Sequence, residues 1–314
     1  PHHFRKTHAL SPPTNHPFFP QKYPQKIPIG IFLTRLSLST LTRPLAQQPI
    51  RSITSRYPAR CSSPEHLPMG HVAILGASGT IGSYLARRLA AQNQQLLLIG
   101  RNPQRLQAVA ESVQQPFEVC DCHSSQTLED ILRKSSEQHG PITGVVNCIG
   151  SVVLKPAHLT SDDEFRQTLE TNLFTAFAAV RAGTKILREG GTGGSLVLFA
   201  SAAAEVGIQN HEAIAAAKAG VIGLARSAAA TYAPANIRVN VISPGLIRTE
   251  MTRRIWEHPA SAAASTAMHA LGRLGEPDQV AALAAWLLEP SQDFITGQVI
   301  GVDGGLGHVL ARRN

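Results

Sequence analysis

A glycine-rich turn lying between a short apolar run and a stretch of helical apolar spacing constrains the fold of this chain more than any other feature. The apolar run covers 71–75, the turn is Gly76-Ala77-Ser78-Gly79-Thr80-Ile81-Gly82, and the helical stretch covers 81–91. A backbone that must approach a phosphate closely has no room for Cβ atoms, and the first turn of a helix presents unpaired N–H groups and a positive dipole end. Gly76, Gly79 and Gly82, with Ser78 and Ile81 between them, meet that requirement.

Beyond the turn the pattern alternates. Strands are expected at 95–99, 117–120, 142–146, 195–199, 237–242 and 298–302, and helices at 103–112, 128–138, 162–187, 212–232 and 278–288. Strands separated by helices of this length call for right-handed crossovers and a parallel sheet covered on both faces. Gly190-Gly191-Thr192-Gly193-Gly194 reads as a flexible turn, and no linker divides the stretch. The expectation is one α/β domain over 69–314, a single doubly wound parallel sheet that binds a dinucleotide.

Charge is distributed unevenly. Residues 1–68 hold nine Lys or Arg and one acid, Glu65; removing them from the chain's 29 basic and 21 acidic residues leaves 20 of each. The net charge of +8 therefore belongs to the first 68 residues, and it does not argue for nucleic acid or membrane as a partner of the folded part. A segment rich in Arg, Ser, Thr and Pro and nearly free of acids reads as an organelle transit peptide, which would send the protein to a mitochondrion or plastid. Translated sequence upstream of Met69, or a disordered extension, is the alternative, and with it a cytoplasmic location. The run 27–33 is too short and broken to span a bilayer, and no later segment is read as a span.

Four cysteines give no secreted disulfide framework. Cys120 and Cys122, one residue apart, could form a metal or redox pair, but no Cys or His cluster completes a metal site, and small apolar residues at the end of a buried strand is the preferred reading.

At the end of the second strand the sequence is Gly100-Arg101-Asn102. A carboxylate there would accept from the ribose 2′-hydroxyl of NAD, whereas an arginine fork suits a 2′-phosphate. NADP is therefore expected over NAD.

With these features in place, residues 69–307 resemble the short-chain dehydrogenase/reductase family. The glycine turn is similar to its fingerprint with the middle glycine displaced by one place to Gly79. Asp121 stands where the family contacts adenine, and Asn147-Cys148-Ile149-Gly150 is similar to its Asn-Asn-Ala-Gly turn. Pro244-Gly245-Leu246-Ile247-Arg248-Thr249 resembles the segment that passes the nicotinamide, and the endings at 272–277, 296–297 and 303–305 are similar as well. The resemblance implies cofactor contacts at these positions and a homodimer or homotetramer built from the helices after Asp162 and Glu212 and the last strand. Of the family's catalytic set it implies Asn172, which holds a water in the proton relay, Ser201, which hydrogen-bonds the substrate carbonyl, and Lys218, which binds the ribose.

The family's tyrosine should lie four residues before Lys218, and Ile214 stands there. An isoleucine gives no proton to the substrate oxygen. Three readings follow. His211, seven residues before Lys218 where enoyl reductases of the superfamily carry a Tyr, supplies the proton, with Glu212 a weaker candidate. Alternatively the chemistry runs without a strong acid, on water or Ser201, as suits an activated C=C bond. Or the chain is a catalytically impaired NADP-binding subunit with a regulatory or assembly role. The leading expectation is an NADP-dependent oxidoreductase that transfers hydride to a carbonyl or enone. The segment 248–271, which shapes the substrate pocket, carries no diagnostic pattern beyond Trp256.

Overall fold

A computed structural model describes residues 70–310. The basic segment 1–68, with its readings as transit peptide or disordered extension, lies outside the described residues. Seven strands form one sheet in the order β3-β2-β1-β4-β5-β6-β7, every pairing parallel. They are β1 (His71–Leu75), β2 (Leu96–Gly100), β3 (Phe117–Val119), β4 (Ile142–Asn147), β5 (Gly194–Phe199), β6 (Ile237–Pro244) and β7 (Val299–Val302). All five residues of β1 are buried, as a central strand with both faces covered requires.

One face is covered by α1 (Thr80–Ala91), α2 (Pro103–Val113) and α9 (Pro277–Leu288), the other by α3 (Ser125–His139), α5 (Thr175–Glu189) and α6 (Glu212–Tyr232). Ile74, Leu98, Leu85 and Val280 meet in the first layer, Leu75, Leu97, Leu132 and Val221 in the second. Burying each of the larger side chains contributes roughly 1.5–3 kcal/mol. Buried polar groups are paired across elements: Ser195 Oγ donates to Leu287 O at 2.8 Å, and Asn240 Nδ2 donates to Ile295 O at 2.8 Å, tying β5 and β6 to α9 and its exit loop.

Several expectations need correction. The helical region expected at 162–187 is α4 (Asp162–Leu169), a π-turn (Glu170–Phe174) and α5; an inserted residue is invisible to a 3.6-residue period. The segment 248–271 is not a plain loop, since it folds into α7 (Arg253–Trp256) and α8 (Pro259–Met268). The second is five-tenths alanine and lacks an apolar stripe, so periodicity gave no sign of it. The reading that no later segment has the character of a membrane span also fails on length and composition: the helical stretch Glu212–Ala235 passes such a test. Half of its most apolar part is buried, and α6 packs on β5 and β6 as a core helix.

Candidate functional site

The strand order reverses direction on either side of β1, so the loops after β1 and β4 diverge and open a crevice at the carboxyl ends of the strands. A cavity of about 520 Å³ occupies that crevice. It is lined at one end by Gly76, Ser78, Gly79, Thr80 and Ile81 and at the other by Ser201, His211, Ile214 and Lys218.

The glycine turn is shaped as its sequence requires. Gly76 has φ +75°, and a Cβ there would stand 3.0 Å from Ile149 N in the neighbouring loop. A Cβ on Gly82 would lie 2.4 Å from Gly76 O, so this glycine does not face the cavity; it lets α1 close against the turn. Gly79 is the N-cap of α1 and faces the cavity without a side chain. The free N–H groups of the helix start therefore point into an uncluttered cradle, which fits a pyrophosphate.

At the end of β2, Arg101, Asn102 and Arg105 line the same cavity beside Ser78. Asn102 caps α2 by accepting from Arg105 N at 2.9 Å, and Arg105 Nη2 donates to Ser78 O at 3.4 Å. No carboxylate stands among these four residues. Asp121 also lines the cavity, and its Oδ1 accepts from His123 N at 3.1 Å in an Asx-type turn. Arg105, Cys120 and His123 were not singled out from the sequence as cofactor neighbours; Arg105 was legible, standing in the first turn of the helix expected directly after Arg101 and Asn102.

Asn147 needs a correction. Placed at the cofactor by the sequence, it is buried behind the wall, where its Oδ1 accepts from Ile149 N at 3.2 Å and its Nδ2 donates to Thr175 Oγ1 at 3.4 Å. It fixes the turn that brings Cys148, Ile149 and Gly150 to the cavity.

The opposite end is built by β5, the π-turn and α6. Ser201 follows β5, and its Oγ accepts from Ala203 N at 3.2 Å while lining the cavity. Asn172 lies in the π-turn with both amide protons engaged: Nδ2 donates to Ser151 Oγ at 3.0 Å and to Thr168 O at 2.9 Å, and Oδ1 accepts from Ser151 N at 3.1 Å. A Cβ on Gly150 would sit 3.1 Å from this Oδ1 and 3.4 Å from Lys218 Nζ, so the glycine leaves the space through which the lysine reaches.

Lys218 is buried, and its Nζ donates to Phe199 O at 3.0 Å. An ammonium has three protons, so two remain for a ligand in the cavity, which suits the hydroxyls of a ribose. Burial pushes the lysine down to about 8. Nearby, burial pushes the Cys148 thiol up to about 12, with the Lys218 charge pulling the other way. A thiol at that value is uncharged at neutral pH and gives the ammonium no counterion.

Ile214 is 4% exposed and lines the cavity one turn before Lys218. Among the described residues no tyrosine lines it; Tyr84 lies exposed on α1 and Tyr232 packs at the end of α6. Glu212 is exposed and outside the lining. His211 does line it, with Nδ1 2.7 Å from Gln209 O. A nitrogen that close to a carbonyl must carry the proton, which leaves Nε2 as the free ring nitrogen. His211 occupies the N-cap position of α6 but makes no side-chain cap bond, so capping does not explain it.

The remaining wall is Pro244, Gly245, Ile247 and Thr249 with α7 and α8. His269, missed in the sequence, is 3% exposed and joins these parts: Nδ1 donates to Ser265 O at 2.7 Å and Nε2 accepts from Leu246 N at 3.1 Å. A Cβ on Gly245 would stand 2.5 Å from that Nε2. No sequence signal marks such a histidine, because its partners are main-chain atoms. Trp256 does not line the cavity, and its Nε1 donates to Thr249 O at 3.0 Å.

Residues 76–307 match the family described as enoyl-(acyl carrier protein) reductase. A tropinone reductase homologue of Arabidopsis thaliana is 30% identical over 238 residues, 74% of this chain and 90% of that protein. The 3-oxoacyl-[acyl-carrier-protein] reductase MabA of Mycobacterium tuberculosis is 30% identical over 239 residues, 75% of this chain and 92% of its own length. Among solved structures, a short-chain type dehydrogenase/reductase from Mycobacterium ulcerans superposes with a TM-score of 0.73 at 28% identity, covering 76% of this chain and 90% of that one. A variant of actinorhodin polyketide ketoreductase with NADPH gives a TM-score of 0.70 at 26% identity over 76% of this chain and 98% of that one.

Proposed function

The chain belongs to the short-chain dehydrogenase/reductase family, and from that premise we propose that it is an NADP-dependent oxidoreductase transferring hydride to a carbonyl or enone substrate. The observation that carries this reading is the continuity of the cavity from Arg101 and Arg105, past the glycine turn, to Ser201 and Lys218. Two guanidinium groups with no carboxylate beside them suit a 2′-phosphate. When bound, the nicotinamide supplies the hydride.

The protein groups then divide the remaining work. Lys218 offers two N–H donors to the ribose. Ser201 Oγ, in the cavity, donates to the substrate oxygen. Asn172 has no free amide donor, so any water it holds for a relay donates to it, at the second lone pair of Oδ1 or at its main-chain carbonyl. With Ile214 in the place of the family's tyrosine, the substrate proton is assigned to His211 in its doubly protonated form, which keeps Nδ1–H on Gln209 O and gives up the second proton from Nε2. Phe174 and Phe177, half exposed on the π-turn and α5, are proposed to meet a second copy in a dimer.

The test is purified protein with NADPH or NADH and a panel of ketones, quinones and enoyl thioesters. Oxidation of NADPH in preference to NADH on at least one class, lost in Ser201→Ala, is the expected result. Tight NADPH binding with no turnover on any class would replace the enzyme by a cofactor-binding subunit, a reading favoured only by the buried Ile214. Unchanged turnover in His211→Ala would remove the histidine from the mechanism.

A further inference from the structure

The mechanism leaves unused a pair of thiols at the far end of the cavity. Cys120 and Cys122 flank Asp121 just after β3, and both are buried, at 8% and 0% exposure. Cys120 lines the cavity, so a small solute entering the crevice reaches it, whereas Cys122 lies behind. The sulfur of Cys120 accepts from Cys122 N at 3.3 Å, and the Cys122 thiol turns back on Cys120 O at 3.8 Å. Cys122 has φ +60°, a left-handed conformation uncommon for a residue with a side chain. That turn folds the chain back, bringing together two side chains that an extended strand would hold apart on one face. Among the described residues no group of three or more His, Cys, Asp or Glu could hold a metal.

We propose that Cys120 and Cys122 form a reversible oxidation site at which a hydroperoxide closes a disulfide, weakening cofactor binding. The effect on binding rests on the cavity being the cofactor site; the oxidation itself does not. The Cys120 thiolate attacks one peroxide oxygen, the O–O bond breaks, and with a proton the other oxygen leaves as an alcohol or water, giving a sulfenic acid at Cys120. The Cys122 thiol then attacks that sulfur, forming the S–S bond and releasing water, with its proton leaving on the hydroxyl. Two thiols are oxidised by two electrons and one peroxide is reduced by two.

Geometry favours Cys120 as the sulfur attacked first, because it faces the cavity and accepts a main-chain N–H. The neighbouring Cys122 side chain also holds Cys120 below the usual thiol range, while Cys122 is held above it. The consequence for the cofactor comes from what lies between and beside them. Asp121 lines the cavity, and Cys120 N donates to Gly100 O at 3.0 Å at the end of β2, next to Arg101. Closing a ring across one intervening residue imposes the disulfide's fixed torsion on the turn that carries Asp121, and so shifts that side chain in the cavity wall. A bound cofactor covers Cys120 and slows the reaction.

The experiment treats the reduced full chain with one equivalent of hydrogen peroxide and reads thiol content, peptide mass and NADPH affinity. Expected are loss of two thiols mapped to 120 and 122, a rise in the NADPH Kd of about tenfold or more, recovery of both with dithiothreitol, and slower oxidation in saturating NADPH. In Cys122→Ser the reaction should stop at a sulfenic acid on Cys120 that dimedone traps. Oxidation of the native chain that ends at a sulfenic or sulfinic acid, a disulfide to Cys148 or Cys61 instead, or a disulfide formed without change in affinity would each overturn the proposal. If the reduced chain fails to bind NADPH at all, the cofactor reading falls, and the thiol count and masses alone decide whether the disulfide forms.

Discussion

Ile214 stands one helical turn before Lys218 on α6, and both side chains line the same cavity. Residues four apart on a helix project to the same side, so a proton donor at 214 would lie beside the lysine and across from Ser201. The isoleucine is buried, which makes the position a space already shaped for a large side chain. Replacing it with tyrosine places a phenol where it can take over the proton delivery assigned to His211. In the His211→Ala background, Ile214→Tyr should raise ketone turnover by about a hundredfold or more, within the range that general acids contribute. Steady-state rates with NADPH check this; an unchanged or lower rate would mean that a side chain at 214 does not reach the substrate oxygen.

Lys218 gives a pH dependence with two opposite signs. Burial puts the folded-state group at about 8, below the ordinary lysine value of roughly 10.4. Between those values the unfolded chain keeps the proton that the folded chain has lost, so stability rises with pH across this window, by on the order of 3 kcal/mol in total. Below about pH 8 both states are charged, and this gain is absent. The ribose-binding ammonium is lost over the same window, so turnover should fall as stability climbs. Urea titrations from pH 7 to about 10.4 should show the rise in the native chain and not in Lys218→Met.

Much of this was legible in the sequence, and the parts that were not share a cause. The alternation of strands and helices and the glycine turn follow from signals carried by consecutive residues, and α6 ends where its pattern ends, at Tyr232. Ser201, Lys218, His211 and Arg101 all reach the cavity as their positions imply. Asn147 and Gly82 belong to the same motifs yet face away from it, because a motif marks what a turn needs and not which atoms meet the ligand. The π-turn at Asn172, the alanine-rich α8 and the main-chain partners of His269 depend on contacts that no linear spacing records.

Gly82 provides a test of packing as distinct from contact. It does not line the cavity, but a Cβ there would sit 2.4 Å from Gly76 O and 2.9 Å from Ala77 Cα, so α1 would have to move off the turn. Overpacking of this kind costs about 1–3 kcal/mol. Gly82→Ala should lower stability by that amount and also weaken NADPH binding, since the displaced helix start carries the N–H groups of the cradle. A loss of stability with unaltered affinity, measured by thermal melts and fluorescence titration, would separate the helix start from the cofactor.

Arg101 and Arg105 decide between the two dinucleotides. They project from the end of β2 and the first turn of α2 on either side of Asn102, whose carbonyl-bearing side chain is already taken by the cap bond to Arg105 N. Neither has an ion-pair partner among the described residues. Their charge is thus available to a phosphate, and each charge-assisted bond lost should cost about 1.5–3 kcal/mol. Arg101→Ala and Arg105→Ala should each weaken NADPH by roughly ten- to a hundredfold and leave NADH nearly unchanged, because only the 2′-phosphate distinguishes the two. Equal losses for both cofactors would show instead that the arginines hold the shared pyrophosphate, and the preference for NADP would then have no structural support.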